Sequence, residues 1–445
     1  MFIEDLLIGP PLFLLVLILA WIIRTKVTDP VTKIYFLPAL ACKIIGAIAL
    51  GLIYQYYYHG GDTFAFHEYG SKIIWQAFVD DPVKGIKLWF ANGIHSGDIY
   101  PYSSRIWYFR DPQSFTVIQI SSFFDLITFG TYSGTSIFFA LISFSGSWML
   151  FLTFYRRYPQ LHFPLALSIF FIPSVIFWAS GILKDTITYA AISWIVFCFD
   201  RLFLQRKIRF SLIIVLALSI WLIYSIKIFI LLVLVPSLIG WYLQESFSGI
   251  KNSMVRILAA PVLIIAGLTI AYLAVSNITK NDRKYSLDTI AKTAQVTAYD
   301  IRYWTGKDAG SGYSLGELDG SFTSLAKVAP AGLIVTYFRP FIWEVKNPLM
   351  LLSSLEGLAY LILTICVLVK TRLLTKSSRL TSSPELLFCL IFSFTFAIAV
   401  GVSTYNFGTL ARYKIPCISF YLIGLTILYY HAKREKNNSL VELSE

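Results

Sequence analysis

An all-α polytopic membrane protein is the fold class the sequence predicts, and three observations predict it. Apolar runs of roughly 17 to 25 residues recur along the chain, the length a helix needs to cross a hydrocarbon core. Of the 445 residues 57% are hydrophobic and 14% charged, more apolar sequence than a soluble core absorbs. Lys and Arg gather in every second connection between the runs, the bias that sets orientation. The net charge of +12 is therefore read as topology-setting, and no nucleic-acid partner is expected.

Taken in order, the spans are expected at about 11 places: 5 to 23, 35 to 56, 131 to 154, 163 to 180, 186 to 204, 209 to 225, 227 to 243, 254 to 276, 349 to 370, 385 to 403 and 414 to 431. The opening MFIEDLLIGPP lacks a basic n-region and a small-residue cleavage site, so the first run reads as a retained span. Lys227 and Pro236 interrupt the stretch 209 to 243, which marks it for a broken or re-entrant segment. Arg24, Lys26 and Lys33 follow span one, Arg156 and Arg157 span three, and Arg201, Arg206, Lys207 and Arg209 span five; the later basic loops keep the rhythm. This alternation places the N-terminus outside and the C-terminus, with its tail 432 to 445, in the cytoplasm.

The whole chain, 1 to 445, reads as one integral membrane domain with two long extracytoplasmic loops, 57 to 130 and 277 to 348. Residues 63 to 79 and 114 to 129 mix aromatic and polar side chains, which suits helices lying at the interface. The second loop starts polar and turns apolar near 324 to 340, where it is expected to dip back toward the membrane. Cys42, Cys198, Cys366, Cys389 and Cys417 all lie in apolar runs without CxxC spacing, so they read as small hydrophobes rather than disulfide or zinc ligands.

Once orientation is set, polar residues cluster on the outer side: His59, Asp62, His67 and Glu68, then Arg105, Arg110 and Asp111, then Lys184 and Asp185, Lys227, Arg339 and Glu344, and finally Arg412 and Lys414. Positive charge is depleted there as a rule, and a bound anion accounts for its presence. In WASGILKDTITY, Asp185 is expected to cap span five, and Lys184 would stand where helix amides already favour negative charge. Arg339 and Arg412 offer bidentate donors to phosphate oxygens. Each of these also reads as an ordinary cap, snorkelling lysine or interfacial anchor.

In HGGDTFAFHEYG, Gly60 and Gly61 let the chain turn as span two leaves the membrane and present Asp62 at the water boundary. A carboxylate there would take a proton from a sugar hydroxyl or hold a divalent cation, Mg2+ or Mn2+, against a pyrophosphate. A solvated cap with Thr63 is the plainer alternative. His59, His67, Glu68, Arg105, Lys227 and Glu344 are secondary candidates, and His59 and His67 also read as plain interfacial residues.

An aspartate just after a span, interfacial helices in the same early loop, an aromatic-rich body and a second long outer loop resemble the GT-C superfamily of membrane glycosyltransferases. The segments YHGGDT, SGILKD, FRPFIWE and NFGTLARYKIP also resemble O-antigen-polymerase-like membrane proteins of bacterial surface-polysaccharide assembly. The resemblance covers most of the chain through short motifs. It implies a polyprenyl-phosphate-linked sugar donor, a glycan or lipid acceptor, and work on the outer face of the cytoplasmic membrane. The loop aspartate of the family maps onto Asp62, while Lys184, Asp185, Arg339 and Arg412 are candidates for the phosphate. The chain departs from the pattern in having two spans before that loop, a Thr after Asp62, and no His in 277 to 348.

The expectation is therefore a membrane glycosyltransferase or polysaccharide polymerase. Its rival is a transporter or flippase of lipid-linked sugars, for which Lys43 within span two and Glu356 within the span at 349 to 370 are the relevant charges.

Overall fold

The computed structural model describes residues 3–248, 265, 267, 269–280, 282, 284–286, 289–303, 310–373, 375, 379–380 and 383–442. Among these residues the fold is all-helical, with one isolated bridge between Gly312 and Asn406. Among the described residues nine helices are long and apolar enough to cross a membrane, so the chain is a helical, multi-pass membrane protein. They correspond to nine of the expected spans. The run 163 to 180 is instead two short helices, and most of 254 to 276 lies outside the described residues.

Where the sequence was read as one integral domain, contacts divide it into two compact units. The first comprises Met1–Asp200 and Ile208–Ile228. Its span-length helices are α1 (Ile3–Val27), α2 (Lys33–Tyr56), α8 (Tyr132–Tyr155), α11 (Lys184–Phe199) and α12 (Phe210–Lys227). Helix α8 packs against α1, α2 and α11. Gly146 sets the approach of α8 to α11, since a Cβ there would lie 2.6 Å from the Ala190 Cα. The start of α8 is secured from α1: the buried carboxylate of Asp5 accepts the Ser133 N–H at 2.8 Å, adding negative charge where the helix has unmet donors.

The broken run has a physical cause. Helix α9 (His162–Phe170) and α10 (Pro173–Trp178) are separated by Phe171 and Ile172, and Ile172 is extended because it precedes a proline. Lys43, 1% exposed in α2, donates to the carbonyls of Val175 at 3.1 Å and Ala179 at 3.3 Å, and stands over the Tyr189 ring at 5.0 Å. It adds a charged donor to the carbonyls at the end of α10, where the helix stops. The first loop folds over the ends of the spans as α3 (Asp62–Phe66), a π-helical turn (His67–Ser71), α4 (Lys72–Asp80), α5 (Pro82–Trp89), α6 (Tyr100–Ser103) and α7 (Pro112–Thr128). An apolar core joins these pieces to the spans, from Leu50 and Tyr54 through Phe66, Ile74 and Ile118 to Leu183 and Ile226. Both stretches expected to be helical in this loop, 63 to 79 and 114 to 129, are helical.

The second unit comprises Arg201–Lys207 and Phe229–Glu445. It contains α13 (Phe229–Ser248), α14 (Thr269–Thr279), α15 (Ile290–Ile301), α16 (Phe322–Phe338), α17 (Pro348–Lys370), α18 (Pro384–Thr404), α19 (Phe407–Tyr413) and α20 (Ile415–Glu442). The interruption expected near Lys227 is real: α12 ends there and α13 begins two residues later, while Pro236 is accommodated within α13. Helix α18 is central, packed against α13, α15, α16 and α20. The apolar 324 to 340 segment forms α16, anchored by Thr336 Oγ1 to the Ala397 carbonyl at 2.7 Å and by the Tyr337 hydroxyl to that of Ser393 at 2.8 Å.

Candidate functional site

In the first unit, α2 and α12 finish at the end of the bundle where α8 and α11 begin, and charged side chains converge there. The chain leaves α2 through three consecutive residues with positive φ: His59 at 55°, Gly60 at 137° and Gly61 at 115°. A Cβ on Gly61 would also lie 2.7 Å from the Tyr54 ring, so glycine is required on both counts. This turn delivers Asp62 as the first residue of α3, half-buried, with the Tyr108 hydroxyl 3.4 Å from its Oδ1. The following Thr63 hydroxyl pairs with that of Tyr132 at 2.7 Å, which ties α3 to the start of α8.

Lys184 faces Asp62 electrostatically. It opens α11, its side chain is 19% exposed, and it lies within the fields of Asp62, Asp111 and Lys227. Its Nζ is 3.5 Å from Asp111 Oδ2. Asp111 caps α7, accepting from the N–H and hydroxyl of Ser114. Burial alone would raise the Asp111 pKa, but the Ser114 hydrogen bond and the Lys184 charge outweigh it and hold it below the usual carboxylate range.

Asp185 departs from the expected cap. Helix α11 starts one residue earlier, at Lys184, and Leu183 occupies the cap position without a side-chain acceptor. The buried Asp185 carboxylate instead receives Lys227 Nζ at 2.5 Å. Two successive residues on α11 thus hold different partners, Lys184 toward the partly open Asp111 and Asp185 toward the closed Lys227.

His67 is a buried residue of the core rather than an interfacial one. The π-helical turn swings its ring inward at 0% exposure, with Nδ1 3.1 Å from Glu68 Oε1 and Nε2 3.3 Å from Asp125 Oδ1. The Nε2 contact is an ion pair outside hydrogen-bonding angles, and Asp125 Oδ2 has no hydrogen-bond partner among the described residues. Thr135 donates to the other Asp125 oxygen, and the His67 ring meets Tyr132 edge-on at 5.4 Å. Burial works against the imidazolium, but Asp125 and Glu68 outweigh it and raise the pKa to about 9. A positive His67 therefore holds α3, α7 and α8 together five residues beyond Asp62. Glu68 also binds Lys72 at 3.2 Å, so both His67 and Glu68 are turned to each other rather than to Asp62.

The remaining candidates stand elsewhere. His59 is exposed in the turn, and Arg105 is exposed with its Nη2 on Gln76 Oε1 at 3.2 Å. Arg339 and Arg412 belong to the second unit. Arg339 is engaged by Glu344, Nε to Oε2 at 3.0 Å, and stands over the rings of Phe407 at 5.3 Å and Tyr313 at 5.8 Å. Glu344 also accepts the Phe341 N–H at 2.8 Å, which makes this pair the clamp of the turn after α16. Arg412 is half-buried on α19, and Lys414, 2% exposed, lies 6.0 Å over the Tyr360 ring. Glu356 accepts the Tyr360 hydroxyl at 2.7 Å one helical turn away.

Two site residues escaped the sequence. Tyr108 touches Asp62, and Asp125 holds His67. An aspartate inside the apolar SSFFDLITF was the available signal, because such a carboxylate needs an internal partner. Among the described residues no three or more His, Cys, Asp and Glu side chains form a metal-ligand group. Asp62 fits a divalent cation only in the manner of Mg2+, with substrate phosphate oxygens supplying most of the shell. No known protein family, curated protein or solved structure matches the chain.

Proposed function

We propose that the chain is a GT-C-like membrane glycosyltransferase or polysaccharide polymerase that takes sugar from a polyprenyl-phosphate-linked donor on the extracytoplasmic face of the cytoplasmic membrane. The observation that carries this reading is Lys184, partly open at the end of the bundle and set in the fields of Asp62 and Asp111. A carboxylate and an ammonium within electrostatic reach of each other, beside span ends, are what transfer from a lipid phosphate requires.

In this mechanism the acceptor hydroxyl gives its proton to Asp62 as its oxygen attacks the anomeric carbon from the face opposite the phosphate. The carbon–oxygen bond to the phosphate breaks, and the phosphate leaves with the electron pair, which inverts the anomeric centre. Lys184 exchanges Asp111 for the departing phosphate, a swap that its 3.5 Å contact makes inexpensive. Stabilising that developing charge is the larger contribution to rate. Tyr108 orients Asp62, and the closed Asp185–Lys227 pair fixes the first turn of α11 so that Lys184 keeps its direction. A bound divalent cation, held by Asp62 with the donor phosphates, would add charge neutralisation.

Reconstitution in liposomes with a polyprenyl-phosphate sugar and an acceptor glycan tests the reading. Formation of a new glycosidic bond supports it. Movement of the lipid-linked sugar between leaflets without bond formation would replace it with a carrier.

A further inference from the structure

Away from the Asp62 cluster, the first unit contains a cavity of about 290 Å3. His95, Tyr100, Ser103, Trp107, Phe109 and Arg110 line it, on α6 and the turns around it. This volume lies at the small end of ligand pockets and suits one sugar ring.

Its walls differ in chemistry. Trp107 is 65% exposed yet held in place: its ring stacks on Tyr69 at 4.2 Å and 7°, and its backbone N–H donates to the Tyr69 carbonyl at 3.1 Å. Tyr69 is the residue of the π-helical turn with non-helical angles, φ −98° and ψ 20°. A π-turn fixing an exposed indole is a built feature. Also lining the cavity, His95 has its Nδ1 bound to the buried Ser103 hydroxyl at 2.8 Å. Arg110 is exposed and makes no ion pair or hydrogen bond among the described residues. An aromatic face, hydroxyl and imidazole groups and an uncommitted guanidinium match a pyranose ring bearing a negative substituent. The residue after Trp107 is Tyr108, whose hydroxyl reaches Asp62.

We propose that this cavity is the acceptor subsite and takes an acidic saccharide, a uronic-acid or phosphorylated sugar unit. The ring lies on Trp107, the anionic group pairs with Arg110, and the hydroxyls meet His95, which Ser103 holds in place. The role as acceptor subsite rests on the transferase reading, whereas saccharide binding itself does not. Headgroup phosphate would use the same Arg110 but has no need of the hydroxyl wall.

Saturation-transfer NMR on the full chain in phosphatidylcholine nanodiscs, with galacturonic acid trimer and maltotriose as probes, tests it. The acidic trimer binds more tightly than maltotriose. Trp107→Ala weakens it about tenfold, and Arg110→Gln removes the preference for the acidic sugar, also about tenfold. Saccharide binding by a native chain that shows no sugar transfer would count against the transferase and not against this site. No binding by the native chain, equal binding by both cavity variants, or displacement by phosphatidylglycerol added to the discs would overturn the proposal.

Discussion

Lys227, the last residue of α12, places its ammonium 2.5 Å from the carboxylate of Asp185 in the first turn of α11, with both side chains closed off from solvent. The pair joins two spans directly beneath the residue that opens α11, Lys184.

Removing one member leaves the other charged and buried. Asp185→Asn or Lys227→Met should each destabilise the folded protein by about 3 to 5 kcal/mol. The double change Asp185→Leu with Lys227→Met should cost much less than the sum, because no charge is stranded. Thermal unfolding in detergent measures this; additive losses would show that the two residues act independently.

His67 gives the fold a pH dependence. Its folded pKa is about 9 against an ordinary 6.5, so the stabilisation is complete below pH 6.5 and is lost as pH rises through 9. The amount is on the order of 3 kcal/mol, about 1.4 kcal/mol per pH unit of displacement. Between pH 7 and 9.5 the native unfolding temperature should fall by several degrees more than that of His67→Gln. Parallel slopes would remove His67 as the titrating group.

Lys43 is a structural charge. Lys43→Met removes one donor from each of the Val175 and Ala179 carbonyls at the end of α10, where the Ala179 N–H still reaches Val175 and Ser143 still reaches Ala179. A loss of about 1 to 3 kcal/mol is expected, with sugar transfer per folded molecule unchanged. Transfer that vanishes while stability holds would turn Lys43 into a functional residue and favour the carrier reading.

Lys184→Met should lower transfer by about 10² to 10³-fold, the usual loss when one preorganised donor to a developing charge is removed. The variant should keep its fold, because Asp111 retains its Ser114 partners. Steady-state rates with saturating donor measure it. An effect confined to KM would mean that Lys184 binds ground state and transition state alike.

Much of this was legible in the sequence, and the reasons for the rest are physical. Span positions follow from composition alone, and nine of them stand as helices. The run 163 to 180 was read through its break because its hydropathy is continuous, while Pro173 and the partner Lys43, 132 residues away from Val175, decide the backbone. Asp62 and Lys184 were marked by their placement at span ends. Tyr108 joins Asp62, Asp111 joins Lys184 and Lys227 joins Asp185 through contacts spanning 42 to 73 residues, which no local pattern encodes. His67 was read as a secondary site candidate or a plain interfacial residue because its burial depends on the π-helical turn and on Asp125.

The rate of sugar transfer by Asp62→Asn, reconstituted with a polyprenyl-phosphate sugar and compared with the native chain at equal folded protein, tests the central claim most directly. The amide cannot take the acceptor proton, so the rate should fall by about 10² to 10⁴-fold while the unfolding temperature stays the same. A rate within twofold of native would contradict the role of Asp62 as the base.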